Sequence, residues 1–335
     1  MWIKRALVGI RLGMMAALLF TASQAAAGPV NDKPSEAQAV LYNQLVASTI
    51  YVSSVNRLDS AGDSAGLDHQ AADDFVLSAC TGSCNVTTVT VEGRYEGSGS
   101  GVASSVNLQF YTDEASLPST LIYQEVISGT ALGYLDTGDF VMTMTTPLKL
   151  ANGTYWVSVQ ANINFSVALR TWLWGENPAQ ATSESAWQNP LDGYGTGCKT
   201  WAPRVSVCER QSSTDDKDLS FKIDGDTNGG NPRPVLLRLV PNRAAPGTPG
   251  LLLEVRGYNF VPTSVVRWAD SDRVTTYVNS NRLLTDVTPE DLASPSMGGV
   301  SVSVFNPLLL GGDGGLSDVL PFYIVYTALT PIIRK

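Results

Sequence analysis

The stretches LLLEVRGYNF (residues 251–260) and VSVSVFNP (residues 300–307) carry the clearest fold signal of this 335-residue chain. In the first stretch, Leu251, Leu253 and Val255 alternate with Leu252, Glu254 and Arg256. In the second stretch, valines alternate with serines. This period of two is typical of strands that bury one face. Gly257 interrupts the first pattern, as expected of a residue that accepts a positive φ at a strand end. Short strands at this spacing, with no helix-length pattern between them, predict a β-sandwich.

Four features mark the C-terminal third of the chain, residues 234–325: Pro241 after the first strand, Gly247 before the second, Gly257-x-Asn259-Phe260, and Asn306-Pro307 after a late strand. With these features the segment resembles an IPT/TIG domain, which is an immunoglobulin-like β-sandwich. The resemblance implies a structural or interaction module, and the family brings no catalytic residues with it.

The larger part, residues 38–224, also reads as all-β. Val106, Leu108 and Phe110 alternate with polar residues, and several other segments repeat the pattern, which predicts a jelly-roll-like β-sandwich. This part also contains the segments LYNQ (41–44), QAADDF (70–75), VNLQFYTD (106–113) and NGTYWVSVQAN (152–162). In these segments it resembles a β-sandwich domain of secreted bacterial multidomain proteins with no established activity. The resemblance implies fold and compartment only.

The boundary between the two parts is predicted in DGDTNGGNPRP, residues 224–234. This stretch is rich in Gly, Asn and Pro and has no apolar periodicity, which is typical of a connection between domains. We assign residues 225–233 to the linker and expect a flexible polar hinge there.

The first 27 residues have the pattern of a signal peptide. Lys4, Arg5 and Arg11 supply the positive end, residues 12–22 are largely apolar, and the alanines at 25–27 form a small-residue cleavage site. Removal of these three cations changes the formal net charge from −9 to −12. We therefore expect a secreted or periplasmic protein, or one on the extracellular surface, with no transmembrane segment after cleavage.

A chain this acidic is a poor binder of nucleic acid, because phosphate contacts need clustered Lys and Arg.

The four cysteines are Cys80, Cys84, Cys198 and Cys208. Their close spacings favour two local disulfides, Cys80–Cys84 and Cys198–Cys208, in an exported and oxidised chain. The alternative is a metal site that uses all four cysteines. It is disfavoured because neither pair has the C-x2-C spacing common in zinc sites.

Little in the sequence points to catalysis. His69 is the only histidine, so a Ser–His–Asp triad would have to include it, and no G-x-S-x-G motif accompanies it. Asp136-Thr137-Gly138 matches the triplet of aspartic proteases, but no second triplet exists to complete the carboxylate pair. Acidic residues are numerous, yet nothing singles out a glycosidase pair. We predict a protein that is not an enzyme.

One candidate metal site precedes the C-terminal part. Asp224, Asp226 and Asn228, followed by Gly229, match the first half of an EF-hand-type calcium loop, so calcium is the one cofactor that the sequence suggests. The second half is missing, since Val235 stands where a bidentate Glu would bind. The alternative is the hinge itself. Asp73 and Asp74 form a second acidic pair, which we interpret as a feature of a strand start.

Aromatic residues are concentrated in the second half of the larger part. The predicted ligand-binding residues are Trp156, Trp172, Trp174, Trp187 and Trp201, with Tyr194 among them. Trp156, Trp172 and Trp174 follow the polar phase of their strands, which predicts that they lie off the main core and contact a sugar. The alternative is that the segment around Trp187 and Trp201 packs on them as a satellite core with no ligand.

These patterns together predict an exported recognition module that binds a glycan or a cell-surface protein. Adhesion and carbohydrate binding at the cell surface are the functions that fit best. A secreted hydrolase, or an accessory protein of one, is the alternative from another class. A structural spacer of the cell envelope is the third.

The leader gives a direct prediction. Intact-mass measurement of the exported protein should show a mature chain that begins at Gly28 or within a few residues of it. A mature chain that retains residues 1–27 would contradict the signal-peptide prediction.

Overall fold

The structure is a computed structural model that describes residues 38–58, 66–99, 102–133, 137–165, 170–210, 217–309 and 313–326. The predicted signal peptide and Asp136 lie outside these residues. Gln38–Lys335 forms one compact unit. Within the described part, no helix is long and apolar enough to cross a membrane.

The described residues are built mainly from short β-strands, with a 3-10 helix at Gly129–Ala131. The strands of the larger part are β1 (Ala39–Asn43), β2 (Tyr51–Ser53), β3 (Val55–Arg57), β4 (Gln70–Leu77), β5 (Ser83–Val91), β6 (Gly93–Gly97), β7 (Ser105–Asp113), β8 (Pro118–Ile127), β9 (Leu132–Gly133), β10 (Phe140–Ala151), β11 (Gly153–Ile163), β12 (Arg170–Asn177), β13 (Ala186–Gln188), β14 (Ala202–Pro203), β15 (Asp218–Leu219) and β16 (Phe221–Asp226). Those of the C-terminal part are β17 (Val235–Val240), β18 (Arg243–Ala244), β19 (Leu251–Tyr258), β20 (Val265–Trp268), β21 (Ser271–Asp272), β22 (Thr275–Asn279), β23 (Arg282–Val287), β24 (Ser296–Asn306), β25 (Gly315–Leu316) and β26 (Leu320–Ile324).

Two large sheets share the main core of the larger part. One has the order β1-β16-β5-β10-β9, and the other has the order β14-β13-β4-β11-β7-β8 with β3 added beside β11. Their inner side chains meet in one hydrophobic cluster, in which Phe75 of one sheet packs edge-on against Phe221 of the other at 6.4 Å. A small third sheet, β15-β12-β2 with β6 also paired to β12, contributes Trp172 and Trp174 to the same cluster.

The C-terminal part has its own core. The sheets β17-β19-β23-β22 and β18-β26-β24-β20-β21, the latter with β25 beside β24, bury Leu253, Val255, Val302 and Val304 between them. Each such side chain contributes about 1.5–3 kcal/mol by leaving water. The all-β, sandwich-type prediction is confirmed. The IPT/TIG resemblance and the domain boundaries stay predictions.

The connection between β16 and β17 is packed rather than free. Residues 229–232 are buried, and the Gly229 amide donates to the Ser83 carbonyl at 2.8 Å. A Cβ on Gly82 would lie 2.4 Å from the carbonyl carbon of Gly230, so the two backbones approach as only glycine allows. The expectation of a flexible hinge is therefore wrong. The predicted linker, residues 225–233, also begins inside β16, which continues to Asp226.

Side-chain amides hold the same connection at its far end. The Asn231 Nδ2 donates to the Pro307 carbonyl at 2.7 Å, and the Asn306 Nδ2 donates to the Pro232 carbonyl at 2.8 Å. Asn231, one of the residues that suggested a polar hinge, therefore forms a hydrogen bond between chain segments.

Both predicted disulfides are confirmed. Cys80 is bonded to Cys84 and Cys198 to Cys208, so no cysteine is left to bind a metal. The Asn152 side chain supports the first loop, because its Oδ1 accepts from the Cys80 amide at 2.9 Å and its Nδ2 donates to the Cys80 carbonyl at 3.0 Å. Two structural disulfides are typical of an oxidising compartment.

A buried ion pair anchors the long segment that follows β12. Arg204 Nη1 lies 3.1 Å from Glu176 Oε1, and neither side chain is exposed to solvent. Arg204 Nε also donates to Ser185 Oγ at 2.8 Å, and Nη1 donates to the Arg210 carbonyl at 2.9 Å. One guanidinium therefore connects β12 to both ends of the segment.

Removing one member of this pair should be strongly destabilising. We expect Glu176→Gln to lower the free energy of unfolding by about 3–5 kcal/mol, because it removes the charge that pairs with the buried Arg204 guanidinium. The double variant Glu176→Leu, Arg204→Met should recover a large part of that loss. Thermal and denaturant unfolding would measure both.

The matched control is Asp272→Asn in the exposed Arg267–Asp272 pair, which should change stability by less than about 1 kcal/mol. Equal losses for Glu176→Gln and Asp272→Asn would contradict the anchoring role of the buried pair.

Candidate functional site

Two of the predicted ligand-binding tryptophans belong to the main core. Trp172 and Trp174 have no exposed surface, and their Nε1 atoms donate to the carbonyls of Gly138 at 2.7 Å and Ser220 at 2.9 Å. The expectation that they lie off the core is wrong. Alternation shows that the two faces of a strand differ, but it does not show which face is covered by other elements. On β12 the two indoles face the core, and Leu173 on the other face is also buried.

Trp187 and Trp156 are buried as well. Trp187 belongs to the main core. Trp156 lies outside it, in a small cluster with Ala72, Tyr111 and Ala186, and its Nε1 donates to Asp113 Oδ1 at 2.8 Å. The off-core position predicted for Trp156 is therefore found, but without the exposed surface that a ligand would touch.

Trp201 and Tyr194 are the predicted aromatic residues that keep exposed surface. Trp201 is half-buried and packs edge-on against Tyr111, with ring centroids 5.5 Å apart. Tyr194 is 38% exposed, and the Arg210 guanidinium lies 4.6 Å from its ring centre. The structure does not bring the six predicted residues together on one surface.

A different group of side chains forms a continuous surface, which we call the amide face. It lies on the outer side of the seven-stranded sheet, where polar residues alternate with core residues such as Leu108 and Val159. Its members are Asn56 on β3, Gln70 on β4, Asn107 and Gln109 on β7, Gln160 and Asn162 on β11, and Gln188 on β13. Gln160 and Asn162 are buried and the others are half-buried.

The amides of this face hold one another in fixed orientations. Gln188 Nε2 donates to Gln70 Oε1 at 2.7 Å, and Gln70 Nε2 donates to Gln109 Oε1. Each primary amide has two donor hydrogens and two acceptor lone pairs, so these bonds leave part of its capacity free.

A second chain of amides runs beside the first. Asn56 Nδ2 donates to Asn162 Oδ1 at 2.7 Å, and Asn162 Nδ2 donates to Asn107 Oδ1 at 2.8 Å. Asn107 Nδ2 donates to Gln160 Oε1 at 3.0 Å, and Gln160 Nε2 donates to the His69 carbonyl at 2.9 Å. The result is a polar surface with little side-chain freedom left to lose on binding.

Apolar groups border the amides. Val126 on β8 is 58% exposed and is the cross-strand partner of Asn107, and Leu121 is 43% exposed opposite Tyr111. Trp201 reaches the same border through its contact with Tyr111. The face therefore combines apolar walls with placed polar groups, as small-molecule sites do.

His69 forms a contact that the sequence alone did not indicate. Its Nε2 lies 2.8 Å from Ser53 Oγ and its Nδ1 lies 2.7 Å from the Leu67 carbonyl oxygen. The ring therefore meets a backbone carbonyl where a Ser–His–Asp triad would place a carboxylate. Burial lowers the pKa of His69 to about 4, so the ring is neutral at pH 7. Ser53 lines an adjoining cavity of about 220 Å³ with Arg210.

The predicted calcium ligands lie on and after β16. The Asp224 carboxylate is 2.8 Å from Lys222 Nζ, and Asp226 Oδ1 accepts from the Asn228 amide at 2.8 Å. In the part of the chain that the structure describes, no group of three His, Cys, Asp or Glu side chains is arranged to hold a metal. Calcium at Asp224, Asp226 and Asn228 stays a prediction.

Asp73 and Asp74 join a buried acidic cluster with Asp218. Asp73 Oδ2 accepts from the Leu219 amide at 2.6 Å and from Gln44 Nε2 at 2.7 Å. Burial raises the pKa of Asp73 well above its usual value, and the nearby Asp218 charge raises it further. Burial also raises the pKa of Asp74 and that of Asp218, the latter to about 7. Asp73 and Asp74 lie in the middle of β4, so the interpretation of this pair as a feature of a strand start is wrong.

The amide face was missed because its signal is weak in the sequence. The segments VNLQF (106–110) and VSVQAN (157–162) place Asn, Gln and Ser between core residues, which any strand with a wet face would also show. What distinguishes this face is the alignment of amides across strands, and that requires the register.

The chain was compared with known families and proteins. No family model and no curated protein matches it. Among solved structures, the gamma-CGTase from alkalophilic Bacillus clarkii aligns with 33% of this chain and 14% of that chain, at 18% identity and a TM-score of 0.22. A similarity at this level carries no argument about fold or function.

The acidic cluster predicts a pH dependence of stability. The pKa of Asp218 is raised to about 7 in the folded state. The contribution of the protonated Asp218 to the free energy of unfolding is therefore fully present below the usual carboxyl pKa and is lost as pH rises through about 7. The Asn side chain of the Asp218→Asn variant cannot ionise, so the variant does not lose this stability as pH rises. The free energy of unfolding of the variant minus that of the wild type should therefore increase by about 2–3 kcal/mol between pH 5 and pH 8.

Denaturant unfolding at several pH values would measure this difference. The lowered pKa of His69 makes the folded state less stable as pH falls below about 6.5, which is the opposite pH dependence. His69 is present in both proteins, so its effect cancels in the difference. Asp286→Asn, which changes an exposed carboxylate on β23, is the control. Parallel curves for wild type and Asp218→Asn would contradict the prediction.

Proposed function

We propose that this chain is an exported, non-catalytic protein that recognises carbohydrate, and that the amide face is its binding site. The single observation that carries the proposal is the set of amides that hold one another in place across the strands of one sheet. Sugar hydroxyls both donate and accept hydrogen bonds, and primary amides do the same.

The border of the face supports the same ligand class. Sugars present apolar C–H surfaces beside their hydroxyls, and Val126, Leu121 and Trp201 supply apolar surface beside the amides. Because neighbouring amides already fix each other, a ligand would order few side chains on binding, which favours affinity. The two disulfides fit a role outside the cytosol.

The C-terminal sheets have a supporting role in this proposal. We propose that residues 234–325 are an IPT/TIG module that carries and positions the larger part, in line with the sequence resemblance. Polar contacts connect the two parts, among them Glu114 to Arg238 at 2.5 Å and Lys149 to Asp313 at 3.2 Å. The module would then act as a support and not as the sugar site.

The proposal predicts glycan binding that depends on the face. The wild type should bind at least one glycan on an array, and Trp201→Ala and Gln109→Ala should each weaken that binding about tenfold or more, because aromatic and well-placed polar contacts dominate binding energies. Affinity electrophoresis in gels that contain the bound polysaccharide would give the dissociation constants.

Gln180→Ala is the matched control, since Gln180 is an exposed amide that does not belong to the face and, among the described residues, bonds to the Thr182 carbonyl. Melting temperatures would show that each variant is folded. The absence of binding to any glycan would overturn the proposal and favour the spacer. New reducing ends in the polysaccharide would favour the hydrolase.

A further inference from the structure

The charge and the extent of the amide face point to a narrower ligand class. We propose that the ligand is an uncharged polysaccharide chain that lies across the strands of the seven-stranded sheet and contacts several of them at once. This inference rests on the proposed function and adds the charge and the length of the ligand to it.

The charges around the face disfavour acidic glycans. At the outward positions that the structure describes on β3, β4, β7, β8, β11 and β13, the side chains are amides, hydroxyls, apolar groups and the carboxylates of Asp74 and Asp113, with no Lys or Arg. Glu114 directly follows β7. A uronate or sulfate would meet no cation there, and removing it from water without a counter-charge is costly.

Two cations beyond the end of β7 are already paired. Arg238 lies 2.5 Å and Arg256 3.3 Å from Glu114 Oε1, and Arg256 also pairs with Glu254. The chain as a whole carries a formal net charge of −9. The long-range field therefore also repels an anionic polymer as it approaches.

The face is longer than one sugar. Gln188, Gln70, Gln109 and Gln124 stand on β13, β4, β7 and β8, and β11 lies between β4 and β7. Gln109 and Gln124 are cross-strand partners, as are Gln70 and Gln188. Neighbouring strands are about 4.8 Å apart, so these five strands span about 19 Å. A monosaccharide would touch one or two strands and leave the other amides unused.

The first experiment compares ligands of different charge and length. The wild type is tested by affinity electrophoresis against neutral β-glucan, galactomannan and dextran, against polygalacturonate and chondroitin sulfate, and on an array that holds both classes. Binding should be confined to neutral glycans. It should also be nearly unchanged between about 0.05 and 0.5 M NaCl, because screening acts only on charge–charge interactions. Oligosaccharides of the bound polymer should compete better as they lengthen to about four units, the length that about 19 Å of strands can contact.

The second experiment changes the charge of the face. Gln124 is exposed on β8, so Gln124→Lys adds a cation beside Gln109 without disturbing the core. At low salt, the affinity for polygalacturonate divided by the affinity for neutral glycan should be about ten times higher for this variant than for the wild type. In about 0.5 M NaCl the two proteins should give the same ratio, because salt screens the added charge. Gln180→Lys, at an exposed amide that does not belong to the face, is the control and should leave the ratio unchanged.

The outcomes separate this inference from the proposed function. If the wild type binds no glycan of either class, the proposed function is overturned. If it binds acidic glycans as well as or better than neutral ones, the charge assignment is wrong while carbohydrate recognition stands. If a monosaccharide competes as strongly as the longer oligosaccharides, the extended ligand is ruled out. Equal shifts for Gln124→Lys and Gln180→Lys would place the site elsewhere.

Discussion

The charged pair Arg204 and Glu176, which has no exposed surface, holds the long segment after β12 against the rest of the protein. That segment supplies Gln188 at one end of the amide face and Trp201 at its border. Separating a buried charge from its partner is costly, so positions of the segment that break the pair are disfavoured. The placement of the candidate site therefore depends on an ion pair that does not belong to it.

The seven-stranded sheet shows how one set of strands serves stability and recognition together. Inward residues such as Val106 and Val157 fill the main core, and outward residues such as Asn107 and Ser158 alternate with them. Because the period is two, a slip of one residue would exchange the faces and expose the core. The hydrophobic core thus sets the register, and the register aligns the amides across strands.

Much of the architecture could be predicted from the sequence, because alternation identifies strands and short spacings favour local disulfides such as Cys80–Cys84. The site could not. Trp172 and Trp174 follow the polar phase of β12, yet that phase faces the main core, and Leu173 on the other face is also buried. The amide face depends on cross-strand neighbours such as Gln70 and Gln188, which are more than a hundred residues apart in sequence. Local patterns carry no information about such pairs.

The buried connection between β16 and β17 has a mechanical consequence. A Gly- and Asn-rich connection in water behaves as an entropic spring that lengthens under small forces. Here residues 229–232 are buried, and the hydrogen bond from Gly229 to Ser83 fastens them to β5. The bond from Asn231 to the Pro307 carbonyl fastens them to the C-terminal sheets. Tension applied to β17 would therefore reach β5 with little extension, until these hydrogen bonds break together.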